Sequence, residues 1–210
     1  ELGVATSSQE EGVSGDNYTV FKQKTGKLVA ILSDGMGVGS KAATESESAI
    51  ALLKKMIESG LDYNLALETV NSTLCLRSNK ETFATVDLLS IDQITGQAEF
   101  IKIGSASSFI KRGSELSMIK STSLPVGILN EVEIESNFLK LQANDFIIMM
   151  SDGVLDSNKN LTIKEEWVLK LLKNNLINDP QSLAQYILDK AQGNTIVEDD
   201  MTVLVIKVDE

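Results

Sequence analysis

Two apolar runs in this chain end on the same tripeptide: Val29-Ala-Ile-Leu leads into Ser33-Asp34-Gly35, and Ile147-Ile-Met-Met leads into Ser151-Asp152-Gly153. Short apolar runs bounded by turn-forming residues suit strands buried on both faces. A third such run, Met201-Thr-Val-Leu-Val-Ile206, follows Asp199-Asp200, and Asp16 precedes the strand pattern Tyr18 to Phe21. The chain must therefore build buried sheet with aspartates at its strand ends. An isolated Asp-Gly is ordinary hairpin chemistry. Here Asp34-Gly35 is followed by Met-Gly-Val-Gly and a helical pattern, and Asp152-Gly153 by Val-Leu and a polar loop, so neither is followed by a returning strand. One role used twice is the better reading.

Carboxylates gathered at a sheet rim repel one another and raise each other's pKa unless cations hold them. Hard divalent ions take oxygen ligands, which points to Mg²⁺ or Mn²⁺. The chain has no histidine and one cysteine, Cys75, so zinc, a Ser-His-Asp triad and phosphohistidine chemistry all lack the side chain they need. A cysteine-nucleophile phosphatase also fails, because Glu81 stands six positions after Cys75. With 19 basic and 30 acidic residues the net charge is −11, which repels nucleic acid and anionic membrane. Apolar runs such as Leu28 to Leu32 and Phe146 to Met150 are far shorter than the roughly 20 residues of a membrane helix. A cytoplasmic domain is expected, and because the chain starts at Glu1 without Met, any membrane anchor of the full-length protein is expected outside it.

At 210 residues with two prolines and no low-complexity tract, no domain boundary is placed. Strands are expected over Leu2 to Thr6, Tyr18 to Gln23 and Lys27 to Ser33. A helix is expected from an N-cap at Ser40 to Gly60, and another from Asp62 to near Arg77. Six strands follow: Thr85 to Asp92, Ala98 to Ile103, Ser108 to Lys111, Leu116 to Lys120, Val132 to Leu141 and Phe146 to Ser151. Their separators, Thr95-Gly96, Arg112-Gly113 and Ala143-Asn144-Asp145, read as hairpin turns, giving an antiparallel meander. Two more helices are expected, one opened by a capping box of Thr162 with Glu165, the other by Asp179 with Pro180 at its first position and Gly193 beyond its end. The chain closes on a strand, Met201 to Val208. Helix pairs among many antiparallel strands predict an α+β fold with helices layered on a sheet sandwich. The run Gly35-Met-Gly37-Val-Gly39-Ser-Lys41 lacks the Gly-Lys-Ser/Thr spacing of a P-loop and reads as a tight strand-to-helix connection. Acidic pairs such as Glu10-Glu11 and Glu165-Glu166 read as solvated faces.

The ordered set Gly15-Asp16-Asn17, Leu32-Ser-Asp34-Gly35-Met-Gly37, Ser151-Asp152-Gly153 and Asp199-Asp200-Met-Thr202 resembles the PPM (PP2C-like) metal-dependent Ser/Thr phosphatases. Lys102 to Gly113 and Leu124-Pro-Val-Gly-Ile128 resemble the bacterial, sporulation branch of that family. The resemblance implies residues 1–210 as one phosphatase domain of a longer protein, a four-layer α/β-sandwich/α arrangement of two antiparallel sheets flanked by helix pairs. It implies two Mn²⁺ or Mg²⁺ ions. Asp34 would bridge both, the Gly35 carbonyl would join one, Asp152 and Asp199 would complete the other, and Asp16 would hold a metal-bound water. Asp199 is preferred to Asp200 because the first residue of the family's acidic pair is the ligand. One departure is the phosphate-binding Arg of eukaryotic members: the only arginines here are Arg77 and Arg112.

The implied reaction is hydrolysis of a phosphoserine protein by a two-metal-activated water. The implied substrate is a phosphorylated anti-anti-sigma factor, whose dephosphorylation would free a sigma factor in sporulation. No nucleic-acid or membrane partner is expected, and a homodimer is allowed. An aspartyl-nucleophile phosphohydrolase is the rival enzyme class; it wants Asp-x-Asp and a parallel sheet. A catalytically silent phosphatase-like scaffold is the rival outside enzymology. The small residues Gly37, Gly39, Ser40, Ala42, Ala43 and Ser46 also suggest that the helix from Ser40 could slide against its neighbour and so act as a regulatory switch.

Overall fold

The computed structural model describes residues 1–9, 14–36, 40–77, 83–158, 162–193 and 199–209; for Met36, Ser40, Lys41, Ala42, Glu45 and Arg77 only the backbone is described. The elements are β1 (Leu2–Ser7), β2 (Asp16–Lys22), β3 (Lys27–Met36), α1 (Ser40–Glu58), α2 (Tyr63–Arg77), β4 (Phe83–Ala84), β5 (Val86–Asp92), β6 (Gln97–Ile103), β7 (Ser108–Arg112) and β8 (Glu115–Ile119). Then come β9 (Ser136–Lys140), β10 (Phe146–Met150), α3 (Asp152–Leu155), α4 (Glu165–Lys173), α5 (Pro180–Gln192) and β11 (Met201–Lys207). This is α+β with two antiparallel sheets, and every strand pairing among the described residues is antiparallel. The parallel sheet of an aspartyl-nucleophile phosphohydrolase is absent among them.

The chain divides into two compact units. The first comprises Glu1–Ser14, Ala106–Lys120 and Leu141–Glu210. Its sheet has the order β1-β11-β10-β7-β8. Phe146, Ile148 and Met150 alternate along β10 and pack with Val203 and Val205 of β11 against Val168 and Leu172 of α4 and Leu183 and Ile187 of α5. Asp179 caps α5 by accepting from the Ser182 N–H at 2.7 Å, with Pro180 at the first position, as the sequence led one to expect. Helix α5 presses on β1 so closely that a Cβ on Gly3 would lie 2.2 Å from the Pro180 carbonyl.

The second unit comprises Gly15–Ser105 and Ser121–Lys140. Its sheet runs β2-β3-β5-β6-β9, with β4 added beside the end of β3. Helices α1 and α2 cover one face through Ala49, Leu53, Ile57, Leu67, Val70 and Leu74, which meet Val29, Ile31, Leu88 and Ile101. Helix α1 ends as the sequence predicts: Gly60 has φ +94°, Gly60 N–H bonds the Ile57 carbonyl and Leu61 N–H the Met56 carbonyl, a Schellman closure. Asp62 then accepts from the Asn64 N–H at 2.9 Å and starts α2. Lys102 and Asp87, cross-strand partners on β6 and β5, form a buried ion pair at 2.6 Å. Burial pulls the Lys102 pKa down while Asp87 opposes the shift.

Several expectations need correction. Strands of the middle segment do not form one meander: after β6 the chain makes the β7-β8 hairpin in the other unit's sheet, returns to set β9 beside β6, and leaves again for β10. Ala143-Asn144-Asp145 is a tight turn, with Asn144 at φ +68°, but it joins strands of different sheets. The segment expected as a strand from Val132 to Leu141 pairs only from Ser136 to Lys140. No capping box forms at Thr162; α4 begins at Glu165, and the Glu165 carboxylate is taken by Lys120 at 2.7 Å and the Ser107 hydroxyl at 3.0 Å. For the same reason Glu165 is not part of a freely solvated face. The connection through Gly37 and Gly39, and the pair Glu10-Glu11, lie outside the described residues, as does any capping by the Ser40 side chain.

Candidate active site

In the second unit, Asp34 is not at the strand end but inside β3, which runs on to Met36 because Gly35 and Met36 pair with Ala84 and Phe83 of β4. Asp34 is held from both sides of its own peptide. Its N–H donates to Thr85 Oγ1 at 2.9 Å, and its carbonyl accepts from the Thr85 N–H at 2.8 Å. Directly across the ladder from Asp34 stands Asp16, the first residue of β2. Opposed residues of an antiparallel pair direct their side chains to the same face, so two like charges share one spot and destabilise the pairing. Asp16 is 8% exposed, and both its carboxylate oxygens are shut off from solvent.

Helix α1 secures this corner. Ser46 is buried, donates to the Gly15 carbonyl at 2.6 Å and accepts from Asn17 Nδ2 at 2.7 Å. Gly35 N–H in turn bonds the Gly15 carbonyl at 3.1 Å. The small residue at position 46 is thus a hydrogen-bonded anchor joining α1 to the residues flanking Asp16. Neither Thr85 nor Ser46 is singled out as a site residue by sequence. Thr85 carries no local signal, since its role depends on a contact 51 residues away.

In the first unit, Asp152 follows β10 and opens the short helix α3, a turn that apolar patterning alone does not reveal. Ser151 ties this point to β11: its N–H bonds the Thr202 carbonyl at 3.0 Å and its hydroxyl accepts from the Thr202 N–H at 2.9 Å. Gly153 allows the Asp199-Asp200 segment to lie flush on α3, for an added Cβ would meet the Asp200 carbonyl at 2.1 Å and Asp199 Cβ at 3.2 Å. Asp199 accepts from the Asp200 N–H at 2.9 Å, while Asp200 accepts from the Gln9 N–H at 2.8 Å. Partial desolvation pushes the Asp199 pKa up, the Asp200 N–H opposes this, and the charges of Asp152, Asp200 and Asp156 raise it further. A bound cation would reverse that strain.

The second unit holds Asp16 with Asp34, beside the Gly35 backbone, and the first holds Asp152 with Asp199. Among the described residues no three acidic or thiol side chains are gathered as a ready metal cage. The donor set is nevertheless all oxygen, and in both pairs like charges are held close, which fits a hard divalent cation and not zinc. Arg112 is committed elsewhere, donating from Nε at 2.9 Å and Nη2 at 2.6 Å to the buried Asp145 carboxylate. Among the described residues no helix is long and apolar enough to cross a membrane.

The sequence profile of Stage II sporulation protein E (SpoIIE) matches residues 24–209. This chain belongs to the SpoIIE family. It is 39% identical over 210 residues to Stage II sporulation protein E of Bacillus subtilis (strain 168), covering 99% of this chain and 25% of that protein. To the Priestia megaterium protein of the same name it is 39% identical over 211 residues, covering 99% of this chain and 36% of that one. Among solved structures, the PP2C phosphatase domain with a fragment of the regulatory domain of SpoIIE from Bacillus subtilis superposes with a TM-score of 0.91 at 38% identity, covering 99% of this chain and 63% of that one. The chain therefore carries the PP2C-type phosphatase domain of the family and spans a quarter to about a third of these full-length relatives.

Proposed function

We propose that this chain is a metal-dependent protein serine/threonine phosphatase that hydrolyses a phosphoserine protein, an anti-anti-sigma factor, and so controls sigma-factor release in sporulation. The observation that carries the reading is Asp16 set opposite Asp34 and closed off from solvent, beside the Gly35 backbone, in a chain of the SpoIIE family. Family membership supports a centre for two Mn²⁺ or Mg²⁺ ions. Asp34, the Gly35 carbonyl, Asp152 and Asp199 would hold the ions, and Asp16 would hold a water. When bound, two such ions lower the pKa of a water and offset charge on the phosphoryl oxygens. The protein's part is to fix the ligands: Thr85 holds Asp34, and the close approach at Gly153 keeps the Asp199-Asp200 segment flush on α3. The chain has no histidine, no Cys-x5-Arg and no Asp-x-Asp, which supports direct attack by water over a phosphoenzyme. A cytoplasmic location and a homodimer belong to the same reading.

The test is phosphate release from phosphoserine anti-anti-sigma proteins as Mn²⁺ is titrated, with Asp34→Asn as control. Turnover that needs Mn²⁺ and disappears in the variant supports the assignment. A folded parent with no turnover favours the silent scaffold. Single turnover in ¹⁸O-water should label only the released phosphate, and an aspartyl phosphate detected by mass spectrometry would contradict direct attack by water.

A further inference from the structure

Asn71 sits in the middle of α2, 1% exposed. A buried amide in a helix is costly unless its polar atoms are bonded, and an apolar side chain of similar size would serve packing alone at less cost. Asn71 spends its amide on one segment. Its Oδ1 accepts from the Gly127 N–H at 2.9 Å, and its Nδ2 donates to the carbonyls of Leu129 at 2.9 Å and Asn130 at 3.2 Å.

That segment leads directly to Asp34. Val126 N–H bonds the Ala84 carbonyl at 2.9 Å, and Ala84 N–H bonds the Val126 carbonyl at 3.2 Å. Ala84 is the register partner of Gly35. The next residue, Thr85, clamps Asp34 through both its N–H and its hydroxyl. On its other side the segment is braced by Gly104, where an added Cβ would lie 2.5 Å from Pro125 N. Gly127 has φ +93°, a conformation that suits glycine, just ahead of the Leu129 and Asn130 carbonyls that meet Asn71.

We propose that Asn71 is a positioning residue: by holding residues 127–130 to α2 it fixes, through the Val126–Ala84 bridge and Thr85, the backbone of Asp34 and Gly35 in ligating geometry. Asn71 touches no reacting atom. The proposal rests on the functional reading above, because it gives Asn71 a purpose only if Asp34 and Gly35 hold metal.

The test compares Asn71→Ala with Tyr63→Phe in the full chain. Tyr63, at the start of the same helix, is hydrogen-bonded to Ser90 at 2.7 Å and Gln23 at 3.0 Å, so Tyr63→Phe also removes buried hydrogen bonds from α2, but away from Asp34. Mn²⁺ affinity is read from the free-ion signal in electron paramagnetic resonance, and amide exchange is read at Thr85 and Gly35 without metal. Asn71→Ala should weaken Mn²⁺ binding and speed exchange at both amides by ~10-fold each, the size expected for losing a buried hydrogen bond. Tyr63→Phe should leave both within ~2-fold, whatever its melting temperature. Gly127→Ala, which strains the segment from its other end, should move both readouts in the same direction as Asn71→Ala, and it carries the test if Asn71→Ala does not fold. Unchanged affinity and exchange in the folded Asn71→Ala or Gly127→Ala protein, or equal changes in Tyr63→Phe, overturn the role of Asn71. A parent chain that binds no Mn²⁺ overturns the functional reading and this role together, whereas a parent that binds it with indifferent variants overturns only the latter.

Discussion

The tripeptide Ser-Asp-Gly occurs at residues 33–35 and again at 151–153, and the two copies adopt different backbones. In the first, the strand continues: Asp34 remains in the ladder, opposite Asp16, because β4 pairs with the two residues beyond it. In the second, the strand stops, Asp152 opens helix α3, and the serine, not a distant threonine, makes the side-chain clamp to the neighbouring strand. The same three residues therefore specify a chemistry, a carboxylate following a buried apolar run, and leave its conformation to what each strand finds beside it. The neighbours differ in kind. Asp34 is braced by residues from far along the chain, whereas Asp152 and Asp199 are brought together by a glycine that removes a side chain from their path.

The largest effect should fall on both copies alike. Asn at Asp34, Asp152 or Asp199 preserves shape and removes one charge, and each should cut metal-dependent turnover at least ~100-fold, since a positioned metal is worth several kcal/mol. Turnover near the parental level in Asp152→Asn, with Asp34→Asn inactive, would break the equivalence. Next in size is Gly153→Ala, which drives a methyl group into the Asp200 carbonyl and should cost ~1–3 kcal/mol of stability by overpacking, read as a lowered urea midpoint at unchanged m.

The two clamps should be similar to each other and smaller than that overlap. Thr85→Val leaves the Asp34 N–H without its acceptor, and Ser151→Ala does the same to Thr202. Each should cost ~1–2 kcal/mol, read by denaturant titration of metal-free protein. Smallest is the pH effect at Asp199. Its pKa is raised in the fold, so the folded state holds that proton more tightly than the unfolded chain. Metal-free protein therefore loses stability at this group as pH rises from 3.8 through the raised value. Asp199→Asn should be the more stable protein at pH 7, by well under ~1 kcal/mol for so exposed a group, and the gap should close as pH falls towards 3.8. A gap that widens on acidification would contradict the sign.

Local signals carried much of the fold. Gly60 and Asp62 mark the α1-α2 corner, and Asp179, Pro180 and Gly193 bound α5, because caps and closures depend on a few adjacent residues. The division of strands between two sheets was not legible. Hairpin-like separators look alike whether the next strand returns to its neighbour or crosses to another sheet, as the Asn144 turn does. Thr162 with Glu165 had the right spacing for a capping box, but Lys120 and Ser107 took the carboxylate. In the candidate site, residue types and order were readable from the repeated acidic motifs. The register that sets Asp16 against Asp34, the Thr85 clamp and the Asn71 bonds were not, because each depends on a partner set by tertiary packing.

The central claim is the proposal that Asp34, Asp152 and Asp199 are ligands of a two-metal centre. Mn²⁺ electron paramagnetic resonance of the intact chain tests it directly, because two Mn²⁺ ions about 3.5–4 Å apart couple and isolated ions do not. The account predicts a spin-coupled pair in the parent that is lost equally in Asp34→Asn and in Asp152→Asn. Two uncoupled Mn²⁺ sites, one surviving Asp34→Asn and the other surviving Asp152→Asn, would contradict it.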